Sequence, residues 1–189
     1  SATNEVRLYP DCPQQSPDAL GLAAEYYDNM DLTGLKLRRF DPTVNFNWGN
    51  FSPDAVIGEQ TFSARWTGKL LPPTTETFTF YTTSDDGIRL WIDNNLIIDS
   101  WIDQSPTEHS ASVALQAGVK SDIKIEYFEN GGGAVAQLAW SSPSVPKASI
   151  PASALFPPQT PAALQQDPGA DALVVAEAED YLLNLAQGG

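Results

Sequence analysis

Asp85 and Asp86 are the residues whose types and spacing could do chemistry: two adjacent carboxylates between Ser84 and Gly87, where one alternating pattern stops and another begins. Two carboxylates a few ångströms apart repel by about 1 kcal/mol in water and by more near protein. A hard cation between them removes that repulsion, and Ca²⁺, which takes roughly six to eight oxygen ligands, suits such a pair. In an extended chain neighbouring side chains point to opposite faces, so both can reach one ion only if the backbone kinks sharply. Gly87 gives the chain freedom to recover its direction afterwards. Asp-Asp-Gly at a corner is also ordinary turn chemistry, and the residues alone leave both readings open.

The flanking elements must position that pair. Phe78 and Phe80 alternate before it, and Ile88, Leu90 and Ile92 after it, with the period of half-buried strands. Asn94-Asn95 reads as a two-residue hairpin turn with positive φ, and Leu96 and Ile98 resume the pattern. This hairpin, Ile88–Ile98, is expected at the centre of the domain. Earlier strands are marked by Leu22–Tyr27, by Leu35, Leu37 and Phe40, by Val44, Phe46 and Trp48, and by Phe62, Ala64 and Trp66. Leu70-Leu71-Pro72-Pro73 cannot continue a central strand, because proline has no N–H to donate. Later, Ile123, Ile125 and Tyr127 alternate against Lys124 and Glu126; Asn130-Gly131-Gly132-Gly133 interrupts, and Ala134–Trp140 resumes. Before residue 157 no segment carries a helical stripe, and the pattern predicts an all-β antiparallel sandwich or barrel.

The chain has 189 residues, 42% of them hydrophobic, enough for one substantial core. Its formal net charge is −14 and its bases form no cluster, which argues against nucleic acid and anionic membrane surfaces as partners. No apolar run reaches membrane-spanning length. The single cysteine, Cys12, excludes an intrachain disulfide and a cysteine metal cluster. Residues 1–20 read as an irregular leader. Ser141–Pro161 is rich in proline and serine; Ile150 and Phe156 are expected to dock where it closes the domain. Beyond it, residues 157–172 have the proline-rich acidic composition of a linker with no regular structure. Residues 173–189 are expected to begin a following module.

Gly21–Phe156 resembles the anthrax protective-antigen-type domain, PA-14. The residues that carry the likeness include Glu25-Tyr26-Tyr27, Trp66-Thr67-Gly68, Ser84-Asp85-Asp86-Gly87-Ile88-Arg89-Leu90-Trp91-Ile92-Asp93, Ile125-Glu126-Tyr127-Phe128-Glu129-Asn130 and Gln137-Leu138-Ala139-Trp140. Val174–Tyr181 is also similar to the first strand of some carbohydrate-binding modules. The PA-14 resemblance implies a β-sandwich in a secreted or cell-surface protein, a larger enzyme or adhesin. It implies a cis peptide between Asp85 and Asp86, with Ca²⁺ held by Asp85, Asp86, the Asn130 side-chain oxygen and the carbonyls of Gly131, Gly132 and Gly133. Vicinal hydroxyls of a glycan or polysaccharide would complete the shell, contacted by Asp85, Asp86, Asn130 and Trp101. The short glycine loop stands where some lectin-like adhesins carry longer specificity loops.

Around that site, Trp101 can stack on a sugar or serve as a core or rim residue. Trp66, Trp91 and Trp140 read as packing, His109 as a surface-loop residue, and Asp93, Asn94, Asn95 and Asp99 as turn and strand-end residues. No nucleophile–base arrangement is visible, and adjacent aspartates are not the facing pair a glycosidase uses, so no enzyme activity is expected. The expected function is that of a non-catalytic, Ca²⁺-dependent carbohydrate-binding module. The alternatives are a Ca²⁺-stabilised spacer that binds no glycan, or a fragment that docks on another protein.

Overall fold

The computed structural model describes residues 20–158. The expected leader, linker and following module therefore fall outside the described residues, apart from Leu20 and residues 157–158. The chain forms twelve strands and no α-helix among the described residues, and none of them builds a helix long and apolar enough to cross a membrane. The strands are β1 Leu22–Tyr27, β2 Leu35–Asp41, β3 Asn45–Gly49, β4 Phe62–Leu70, β5 Glu76–Asp85, β6 Gly87–Ile92, β7 Asn95–Ser100, β8 Thr107–Leu115, β9 Ser121–Glu129, β10 Ala134–Ser141, β11 Ala148–Ser149 and β12 Leu155–Phe156.

They make two antiparallel sheets. The larger runs β2-β1-β4-β9-β6-β7, with β12 beside β4; the smaller runs β11-β10-β5-β8, with β3 beside β10. Their inner faces meet in one aromatic-rich core that includes Phe78, Phe80 and Trp140 from the smaller sheet and Tyr26, Trp66, Ile125 and Leu90 from the larger. Phe46 of β3 stacks on Trp66 of β4 across the layers, ring centroids 5.8 Å apart. Fully burying side chains of this size contributes about 1.5–3 kcal/mol each. The ends of the fold are tied together, since the Gly21 N–H donates to the Leu155 carbonyl at 2.8 Å.

Four expectations about elements and residues are corrected. The hairpin turn is Asp93-Asn94, with φ of 48° and 63°, and Asn95 already belongs to β7. A two-residue turn of this kind needs both central residues at positive φ, and Asp tolerates that as Asn does. The hairpin lies at an edge of the larger sheet, whose middle is β4 and β9. Trp91 is half-buried on the outer face with the Lys124 Nζ 3.6 Å from its ring centroid, whereas Trp66 and Trp140 are core residues. His109 lies in strand β8, not in a loop.

The outer face of the larger sheet accounts for much of the basic charge. One cross-strand row runs Arg38, Glu25, Arg65, Glu126, Arg89, Asp99. Opposite charges facing one another across strands support the sheet. Glu126, buried beneath them, pairs with Arg65 at 3.1 Å and Arg89 at 3.0 Å.

Candidate functional site

Asp86 is the only residue between β5 and β6, and these strands lie in different sheets. The chain crosses from one layer of the sandwich to the other at this single residue, and the Asp85–Asp86 peptide is cis. β10 begins beside this corner, because Val135 pairs with Asp85. The loop after β9, residues 130–133, therefore lies at the same end as the aspartates.

The interior turns polar at this end. Inward positions along β5 read Phe78, Phe80, Thr82, Ser84; along β9 they read Ile123, Ile125, Tyr127, Glu129. Asp85 is half-buried, while Asp86 and Glu129 are buried. Ligating oxygens of these three carboxylates all lie within 4.8 Å of one another.

Hydrogen bonds fix each group. Asp86 Oδ1 accepts from the Gln104 backbone N–H at 2.9 Å, and Oδ2 from the Asn130 N–H at 2.8 Å. The Gln104 amide donates to Ser84 Oγ and to the Asp86 carbonyl, each at 3.1 Å. The Tyr127 hydroxyl faces two acceptors with its one proton, the Asp85 carbonyl at 2.5 Å and Glu129 Oε2 at 3.1 Å. Glu129 Oε1 is buried with no hydrogen-bond partner.

The charges register this crowding. Burial raises Asp85 above the usual aspartate value, and the charge of Asp86 adds to the rise. Burial pushes Glu129 up to about 7; the Tyr127 hydroxyl and the Gly131 N–H oppose the rise, while Asp86 and Asp85 add to it. Tyr127 is driven well above its ordinary range by burial and then by the Glu129 charge. Each shift disfavours negative charge, and a bound cation would reverse the balance.

Asp85, Asp86 and Asn130 are brought together. The Asn130 side chain is exposed, and its Nδ2 donates to Asp103 Oδ2 at 2.9 Å. A Cβ on Gly133 would sit 3.5 Å from Asp85 Oδ2, so the glycine loop abuts the aspartate. Gln60 braces the loop by accepting from the Gly132 N–H at 3.1 Å, and a Cβ on Gly131 would come within 2.7 Å of the same oxygen. Gly132 has φ of 106°, a conformation that favours glycine. Trp101 does not join this hydrogen-bonded group. Arg89 lies 3.9 Å from its ring centroid, and Phe128 meets it edge-on at 4.7 Å, on the outer side of the larger sheet.

Glu129 and Gln104 belong to the site but are absent from the sequence-based set. Glu129 was detectable: the alternation through Ile123, Ile125 and Tyr127 extends inward to position 129. Gln104 carries no such signal, because it sits in a loop without periodicity.

A family model described as PA14 domain matches residues 18–154. The chain is 48% identical over 159 residues to an anti-sigma-I factor, RsgI3, of Acetivibrio thermocellus, covering 84% of this chain and 25% of that protein. A solved anti-sigma factor domain-containing protein is 50% identical with a TM-score of 0.74, over 76% of this chain and 50% of the other. The chain thus spans a quarter of the curated relative and half of the solved one. A PA14 sugar-binding domain from an RTX adhesin shares the fold at 14% identity, with a TM-score of 0.60 over 75% of this chain and 99% of that one.

Proposed function

The chain belongs to the PA14 domain family, and from that premise we propose that it is a non-catalytic module that uses Ca²⁺ to recognise glycan hydroxyls. The observation that carries the reading is the corner itself: two adjacent aspartates at the one-residue crossing, with the Asn130 N–H bonded to Asp86 and Gly133 packed against Asp85. Asp85, Asp86, the Asn130 side-chain oxygen and carbonyls of Gly131–Gly133 would hold the ion. The donor set is all oxygen, as a hard cation requires, and the two aspartates leave it short of charge compensation until one binds. When bound, the ion supplies open coordination positions for vicinal hydroxyls.

The chain's own residues do the positioning. Backbone N–H groups of Gln104 and Asn130 hold the Asp86 carboxylate from two sides, while each oxygen keeps a second lone pair. The Tyr127 hydroxyl fixes the Asp85 carbonyl. Asn130, exposed at the rim, would meet a sugar directly.

The sequence resemblance pointed to an enzyme or adhesin as the parent protein. The relatives near 50% identity bear the name of anti-sigma factors, so we place this module in a larger protein of that kind. Its role there is to report an extracellular glycan to the rest of the polypeptide. A glycan array probed with the chain in Ca²⁺ and again in chelator tests the reading. Ca²⁺-dependent signal that Asp86→Ala abolishes and Asp99→Ala retains is expected; calcium binding without any glycan signal would favour the spacer role.

A further inference from the structure

Four acids are buried among the described residues, and they fall into two kinds. Asp41 is satisfied by Arg39 at 2.7 Å, Trp66 Nε1 at 2.8 Å and the Tyr26 hydroxyl at 2.5 Å. Glu126 has two arginines against it, as described above. Each is a structural carboxylate with its charge compensated. Asp86 has two backbone N–H donors, whereas Glu129 has the shared Tyr127 hydroxyl and the Gly131 N–H, no base, and an Oε1 left without a partner. Burying a carboxylate oxygen without a partner is costly, and natural interiors seldom tolerate it.

Glu129 has 0% exposure, and its free Oε1 belongs to a side chain whose ligating oxygen lies within 4.8 Å of those of Asp85 and Asp86. Oxygens bound to one Ca²⁺ at about 2.3–2.6 Å can be separated by up to about twice that distance, so one ion can bridge all three. The ion pairs of the larger sheet go to Glu25, Glu126, Asp41 and Asp122, none of them in this cluster.

We propose that Glu129 is a direct ligand of the cation, through Oε1, so that the ion is gripped by three carboxylates and is approached from inside the sandwich as well as from its rim. This rests on the reading of the corner as a Ca²⁺ site and adds a residue to it. The ion then seals the polar end of the core, and the exposed Asn130 side is left for the glycan.

The test titrates the full chain with Ca²⁺ alone by calorimetry, for wild type, Asp86→Asn, Glu129→Gln and Glu129→Asp, with melting in chelator measured in parallel. Glu129→Gln should weaken Ca²⁺ by at least about tenfold, since ligand charge sets affinity in such sites. It should melt in chelator at or above the wild-type temperature, because the uncompensated charge is gone. A merely structural carboxylate would show the opposite: lower melting in chelator and unchanged Ca²⁺ affinity. Should Glu129→Gln fail to fold, Glu129→Asp, with its charge kept and its reach shortened, decides by the same loss of affinity. Terbium bound in place of Ca²⁺ should gain about one coordinated water in Glu129→Asp, whose shortened side chain withdraws its oxygen from the ion. Wild-type affinity in Glu129→Gln with loss in Asp86→Asn would overturn the role of Glu129 alone; no Ca²⁺ binding by wild type would overturn the site and this inference together.

Discussion

At the scale of residues, Glu129 and Asp86 are carboxylates placed where a protein interior has little to offer them. Removing the ion should leave a recognisable pH signature. In the ion-free folded chain Glu129 titrates near 7, above the ordinary 4.5, chiefly through burial. Between those values the folded state holds a proton that the unfolded chain has lost, so stability falls as pH rises through that window. Asp85 is also raised and adds slope of the same sign. Glu76, held down to about 2 by hydrogen bonds from Ser142 and Ser144, and Glu25, also lowered, act below the window and with opposite sign. Melting in chelator should therefore be higher at about pH 5 than at about pH 8. Glu129→Gln should flatten that difference; an unchanged slope in the variant would assign it to other groups.

At the scale of elements, the close approach that matters is Gly87 beneath Phe128. A Cβ there would lie 2.1 Å from the Phe128 ring, and Phe128 meets Trp101 edge-on. Gly87→Ala must push that ring aside or move the start of β6. It should destabilise the fold by about 1–3 kcal/mol, the usual cost of overpacking, and lower Ca²⁺ affinity through the neighbouring Asp86; urea denaturation and calorimetry check the two parts. The strands themselves were legible, because period-two alternation of large apolar residues is written plainly in Phe78–Phe80, Ile88–Ile92 and Ile123–Tyr127. Their partners were not: alternation says which face is buried, not which sheet a strand joins. Hence the β6–β7 hairpin is an edge pair rather than the centre, and Trp91 faces out on the same alternation that buries Leu90. The turn was misplaced by one residue, since Asp and Asn are equally at ease at positive φ. Residues 130–133 were tied to the aspartates through family resemblance, whereas Gln104 was invisible, its role depending on where a loop between β7 and β8 happens to pass.

At the scale of the whole molecule, the sandwich is an apolar body with one polar end. Its sheets are joined at that end by a one-residue crossing, and Asp86 and Glu129, the two buried acids among the described residues with no ion pair to a base, lie there. Among the described residues the ion pairs of the bases go to Glu25, Asp41, Glu126, Asp122 and Glu108, none of them in the corner cluster, so an ion from solution would be its counter-charge. Extracellular modules bind Ca²⁺ with dissociation constants on the order of 10⁻⁴–10⁻³ M, a range in which the site would fill outside the cell and empty within it. The most direct measurement is a calorimetric titration of the 189-residue chain with Ca²⁺, for wild type and for the variant carrying both Asp85→Ala and Asp86→Ala. Saturable binding of one ion by wild type and none by the double variant is the predicted result; undiminished Ca²⁺ binding in the double variant would contradict it.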